Sequence, residues 1–192
     1  MKRISMLLAG LFMLSNSAHS RSVCDSQITR EIETCAESNF KEADFELNRV
    51  YQAMEKNWVD ADRKKLQQAQ RYWIKYKTKY CQAAFDETSP GQEASIDKFS
   101  CLESVTSTRT RELLFLDNAY GMNDFKQALN FMANEYEHGN EGQVLIKLAQ
   151  DTPDGKNQDW LQYVEANCQM THAKLREEHG VCVARMNFYK NW

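Results

Sequence analysis

The stretch Ala69-Gln70-Arg71-Tyr72-Trp73-Ile74-Lys75-Tyr76, running on through Tyr80 to Cys81, decides how the chain folds. Trp73, Tyr76 and Tyr80 recur at steps of three and four, so on a helix they form one aromatic stripe, which Leu66 and Ala69 extend backwards. Rings of this size bury large areas, so the neighbouring segments are expected to pack against this helix. The spacing of Trp73, Tyr76 and Cys81 returns in Trp160, Tyr163 and Cys168, a partial internal repeat.

Outward from this helix, breakers are few: 2 prolines and 7 glycines in 192 residues. With so much Glu, Lys, Gln, Ala and Leu, the chain reads as mainly helical. Ile32, Ala36, Phe40, Ala43, Leu47, Val50 and Met54 follow steps of four and three, predicting a first helix over about 28–57. Asp62 is the expected N-cap of the second helix, which carries the stripe to about Ala84. Asp86-Glu87-Thr88-Ser89-Pro90-Gly91 has the composition of a loop. A third helix follows, with Leu102, Val105, Arg109, Leu113 and Leu116 on one face, ending near Tyr120-Gly121. The three should form an antiparallel bundle with short connections.

Beyond residue 120 the pattern continues as helix. Asn123 is the expected cap of a segment closed by Gly139, and a short helix over 141–150 stops at Asp151-Thr152-Pro153-Asp154-Gly155. A longer one runs from about Gln158 to Glu178 and stops at Gly180, after which residues 181–188 can pack back as a short helix.

The N-terminus has a different character. Lys2 and Arg3 precede an apolar run from Ile4 to Leu14 and then Ala18-His19-Ser20, the pattern of a secretory signal over residues 1–20, cleaved after Ser20 or alternatively after Ala18. The run is shorter than the roughly 20 residues a bilayer needs. Arg21-Ser22-Val23 is an unsuitable lead-in for lipid attachment at Cys24. The mature protein is therefore expected in a periplasm or outside the cell, with no membrane anchor after cleavage. Domain boundaries follow as 1–20 signal, 21–120 three-helix domain and 121–192 a smaller helical module that partly repeats the first.

Six cysteines, at 24, 35, 81, 101, 168 and 182, read as three disulfides in an exported chain. If the C-terminal module is self-contained, Cys168 pairs with Cys182, and by analogy Cys81 pairs with Cys101, leaving Cys24 with Cys35. A helix spanning 25–35 would hold the last two Cα atoms about 16 Å apart, too far for a disulfide. Helix 1 must then begin no earlier than about Ile28. The rival arrangement pairs Cys24 and Cys35 with Cys81 and Cys101.

The residues that could carry chemistry point away from catalysis. No Cys-x-x-Cys, Gly-x-Ser-x-Gly, His-Glu-x-x-His or Gly-rich phosphate loop occurs in the sequence. Metal is not expected, because the cysteines are unclustered and no ligand type stands four residues after His138, His172 or His179; no cofactor is implied. Lys and Arg number 24 against 27 Asp and Glu, and loss of Lys2 and Arg3 with the signal makes the balance more acidic. Nucleic acid is a poor partner for such a surface, whereas a cationic one would be drawn in. Arg109 on an apolar helix face needs a buried partner, for which Asp44 is the candidate.

Cys24, Cys35-Ala36, Phe40, Ala43-Asp44, Leu47-Asn48, Tyr51, Ala69-Gln70, Trp73, Cys81, Cys101-Leu102, Thr106, Arg109 and Leu113 together resemble the N-terminal domain family of the lysozyme inhibitor LprI, over about residues 24–114. The resemblance implies a small secreted helical domain that binds a protein and, in at least one branch, inhibits lysozyme. Most of these positions lie on core stripes, and Asp44, Asn48, Thr106 and Arg109 are expected to form one polar network between helices 1 and 3. Inhibition would work by occlusion, with the disulfide-flanked loop bearing Asp86, Glu87, Ser89, Pro90 and Gly91 entering a cleft. The alternative is an envelope interaction or immunity protein acting against another wall-degrading effector, again without catalysis.

Overall fold

The computed structural model describes residues 22–150 and 157–191. The signal expected at 1–20 and the turn at 151–155 lie outside them. Among the described residues the chain is helical, with no strand: α1 (Thr29–Asn57), α2 (Asp60–Thr88), α3 (Ala94–Asn118), α4 (Asn123–Tyr136), α5 (Glu141–Gln150), α6 (Gln158–Leu175) and α7 (His179–Asn191).

The first three helices run up, down and up. α3 takes the middle position, packed on α1 along one side and α2 along another, while α1 and α2 scarcely touch. Phe40 of α1 lies 6.4 Å from Phe99 of α3, and further along Trp58 donates its indole N–H to Asp117 at 3.0 Å, so these two helices are parallel. α6 then lies against α2 with the two halves of the repeat facing each other: the Tyr76 ring is 4.8 Å from Trp160 and 6.5 Å from Tyr163. Lys79 pairs with Asp159 at one end of this contact and Lys174 with Asp62 at the other, so α2 and α6 are antiparallel.

Burial follows the stripe read from the sequence. Leu66 and Ala69 are fully buried, and Trp73 and Tyr76 nearly so. They share one core with Leu47 and Met54 of α1, Leu113 of α3, Trp160 of α6 and Met186 of α7. The core thus runs through position 120, because the aromatic face of α2 is too wide for α3 alone to cover. α4 and α5 build a smaller core of their own on α7, where Phe125 lies 5.4 Å from Phe188.

Several helix ends differ from the sequence reading. α2 starts at Asp60 behind Val59, so Asp62 is not its N-cap; both acids sit in the first turn, where the helix dipole favours them. At its other end α2 continues through Asp86 and Glu87 to Thr88, past Ala84, and stops where Pro90 forces Ser89 into an extended conformation. α4 likewise begins at Asn123 with Met122 before it and no side-chain cap. α6 ends at Leu175, three residues earlier than expected, because Arg176 turns left-handed with φ 59°. Gly180 accordingly lies in the first turn of α7 and does not stop a helix.

Three disulfides fasten these elements. Cys24–Cys35 ties the extended N-terminal segment to α1, Cys81–Cys101 ties α2 to α3, and Cys168–Cys182 ties α6 to α7, with Cα separations of 5.7, 5.4 and 5.6 Å. α1 begins at Thr29, late enough for Cys24 to fold back beside it. Asn39 holds the same segment by accepting the Ser22 N–H at 3.1 Å and donating to the Ser22 carbonyl at 3.0 Å.

A fragment ending at residue 120 would leave the faces of Trp73 and Tyr76 that α6 covers in water. It is expected to show no cooperative thermal transition by circular dichroism, whereas the full chain unfolds in one step. A sharp transition in the fragment would contradict the shared core.

Candidate functional site

Two features carry the chemistry of this molecule, an exposed tip and a buried charge network. The tip joins α2 to α3. The Gly91 N–H donates to the Thr88 carbonyl at 2.7 Å, and the Ala94 N–H to the Gly91 carbonyl at 3.3 Å, closing a tight connection. A Cβ on Gly91 would stand 2.6 Å from the Thr88 carbonyl oxygen, so only glycine fits this turn without a shift of backbone. Every residue from Asp86 to Glu93 is exposed. Below the apex, Asp86 accepts from Gln82 at 2.9 Å, Lys98 donates to Gln82 at 3.1 Å across the two helices, and Cys81–Cys101 fixes their spacing. Of the five tip residues singled out in the sequence, Ser89, Pro90 and Gly91 form the apex, while Asp86 and Glu87 belong to the last turn of α2.

The polar network differs from the expected one. Arg109 is fully buried but does not meet Asp44; its guanidinium donates to Gln70 at 3.0 Å, Asn167 at 2.8 Å and the Tyr163 hydroxyl at 3.3 Å. Asp44 faces outward on α1, where it accepts from exposed Asn48 at 2.9 Å and lies 3.9 Å from Lys77. Burial lowers the Lys77 pKa, a shift that Asp44 opposes. Thr106 is buried beside Arg109 and accepts the Thr110 hydroxyl through its carbonyl at 3.1 Å. The four residues therefore split into an outer pair on α1 and an inner pair on α3. The reason is the arrival of α6, which supplies Arg109 with neutral acceptors and seals it from water.

Sequence reading missed the other half of this network. Asn167 joins Arg109 to Glu112, to which its amide donates at 3.2 Å. Glu112 in turn forms a buried ion pair with Arg185 of α7, each side chain 1% exposed. Arg185 also donates twice to Glu177, at 2.8 and 2.9 Å. Burial alone would lower the Arg185 pKa, but Glu112 and Glu177 outweigh it and raise the value. A signal was present, since Arg185 interrupts the apolar run from Val181 to Phe188 much as Arg109 interrupts its own stripe.

Elsewhere the surface offers shallow grooves. One of about 390 Å³ lies between the N-terminal segment, α1 and α3, and holds a single acid, Glu103. Among the described residues no cluster of three or more His, Cys, Asp or Glu could hold a metal ion, and no helix is long and apolar enough to cross a membrane.

The model of the lysozyme inhibitor LprI family matches residues 22–113. An uncharacterised protein of Rhizobium meliloti (strain 1021) is 32% identical over 96 residues, covering 43% of this chain and 69% of that protein. The chain belongs to the lysozyme inhibitor LprI family. Members of the LprI family are inhibitors and not enzymes, so the partner class is protein. No solved structure matches the chain. Three disulfides together with LprI membership assign the folded chain to an oxidising, extracytoplasmic setting. The LprI match ends at Leu113, just past Arg109 and Glu112, whose partners Tyr163, Asn167 and Arg185 all lie beyond it.

Arg185→Met would strand Glu112 in the core and is expected to cost about 3–5 kcal/mol. The double variant with Glu112→Met should recover most of that loss in urea unfolding. A second expectation concerns alkaline pH. Burial and the Glu55 carboxylate, which accepts the Tyr51 hydroxyl at 3.2 Å, push the Tyr51 pKa up to about 12, and burial likewise raises Tyr163 and Tyr189, the latter also held by Asp124. A tyrosine raised in this way stabilises the fold fully below its unfolded value near 10, and that contribution is lost as pH rises through the folded value. Stability should therefore fall above about pH 10. Absorbance titration at 295 nm should reveal a late-ionising group that shrinks by one in Tyr51→Phe.

Proposed function

We propose that this protein binds a lysozyme-type muramidase outside the cytoplasm, in the periplasm or after secretion, and inhibits it by occlusion with the α2–α3 tip. The observation that carries this reading is that the family-matched part of the chain projects a stapled, fully exposed apex from the ends of two helices. A tip already fixed before docking loses little conformational entropy on binding. Ser89, Pro90 and Gly91 make an uncharged point that can enter a cleft whose paired carboxylates perform glycoside hydrolysis. Asp86, Glu87 and Glu93 surround that point with negative charge, which suits a cationic cleft rim. The blocker takes part in no bond-making step; it excludes the polysaccharide.

The test is a pull-down of the chain on immobilised lysozyme followed by a turbidity assay on cell walls. Native protein is expected to bind at micromolar concentration or tighter and to slow clearing. Asp86→Lys with Glu87→Lys, and separately Ser89→Trp at an exposed position of the apex, should each weaken inhibition at least about tenfold with thermal unfolding little changed. Absence of binding by the native chain would overturn the reading in favour of an immunity role against a different wall-degrading effector. Undiminished inhibition by both tip variants would remove the tip from the mechanism.

A further inference from the structure

Beside the tip-bearing end of α2, the aromatic stripe does something its core role does not require. Lys190, in the last turn of α7, holds its ammonium 5.1 Å from the Trp160 ring, 5.7 Å from Tyr80 and 6.0 Å from Tyr76. The rings come from both halves of the internal repeat, and Tyr76 stacks on Tyr80 with centroids 5.2 Å apart. Three π faces turned toward one cation make an aromatic cage of the kind that recognises organic ammonium groups. The crevice beside Lys190 measures about 30 Å³, room for about one water, so no second ammonium fits while Lys190 is in place. Tyr80 and Lys190 are half-buried, whereas Tyr76 and Trp160 are buried; Tyr76, Trp160 and Lys190 line the crevice.

We propose that this cage is a docking site for a lysine side chain of the protein partner, with Lys190 as the intramolecular occupant that such a lysine displaces. The inference rests on the muramidase reading only for the identity of the partner. It deepens that reading by adding a second anchor: Tyr80 is one residue before Cys81, so a protein gripping the apex at 89–91 brings its rim down along this flank. The chain's net charge of −3 favours a cationic rim. Displacement requires the Lys190 side chain to leave the rings and rotate into solvent, and the cage then exchanges one ammonium for another of equal charge. A resident competitor lowers the apparent affinity by the fraction of time the cage is filled.

The experiment uses tetramethylammonium chloride as probe, with equal sodium chloride as control, followed through the Trp160 indole resonance in the full chain. In Lys190→Ala the shift should saturate in the millimolar range, with a dissociation constant about fivefold tighter than in the native chain. Tyr80→Phe on that background should leave it unchanged and Tyr80→Leu should weaken it several-fold. Lys190→Ala should also bind lysozyme about threefold tighter. A shift that does not saturate, or that Tyr80→Leu leaves intact, overturns the cage even where lysozyme binds. A saturable, Tyr80-dependent shift in a protein whose native form ignores lysozyme supports the ammonium site and overturns the choice of partner.

Discussion

The fold depends on how two buried arginines are satisfied. Arg109 and Arg185 are among the largest fully buried side chains of the molecule, and a guanidinium away from water is costly unless its donors find acceptors. Glu112 and Glu177 answer Arg185, while Gln70, Tyr163 and Asn167 answer Arg109 with neutral oxygens. Asn167 closes the circuit by contacting both Arg109 and Glu112. Because these groups come from α2, α3, α6, α7 and the α6–α7 turn, their bonds tie all of those elements together, although Arg109 Nη2 itself has no hydrogen-bond partner among the described residues. Apolar packing alone would permit a helix to slide by a turn; directional bonds of this kind set the register.

Disulfides and aromatics then work on that frame in different ways. The three bridges each close a short stretch, fixing neighbours in sequence, whereas Trp73, Tyr76, Trp160 and Tyr163 join segments more than eighty residues apart. Local staples restrict the unfolded chain and long-range rings supply the buried area. A passive inhibitor benefits from both, because a blocker that deforms would spend its binding energy on its own ordering.

Much of this was legible in the sequence. The all-helical class and the stripe on α2 follow from spacing, because periodicity reports which face is buried, while the LprI-type domain follows from the family resemblance of residues 24–114. Spacing does not report what covers that face. Arg109 was recognisable as a buried cation from its place among Leu102, Val105 and Leu113, yet Asp44 was the wrong partner, since two acceptors, Tyr163 and Asn167, came from a helix more than 50 residues further on and the third, Gln70, from α2. Helix ends misled for a related reason: Thr88-Ser89-Pro90-Gly91 looks like the centre of a loop, but a proline stops a helix only at its own doorstep, so Asp86 and Glu87 stayed helical. Arg176, whose left-handed backbone ends α6 ahead of Gly180, carries no compositional mark of a turn at all.

The opposed directions of α2 and α6 place their stapled turns at opposite poles. The turn after α2 carries Ser89 to Glu93, and the turn after α6 carries Arg176 to Glu178. With α2 spanning 29 residues, those poles stand about 43 Å apart. Such a rod can bury one extremity inside a neighbour and still hold the other beyond that neighbour's footprint, a stiff strut with two independent ends.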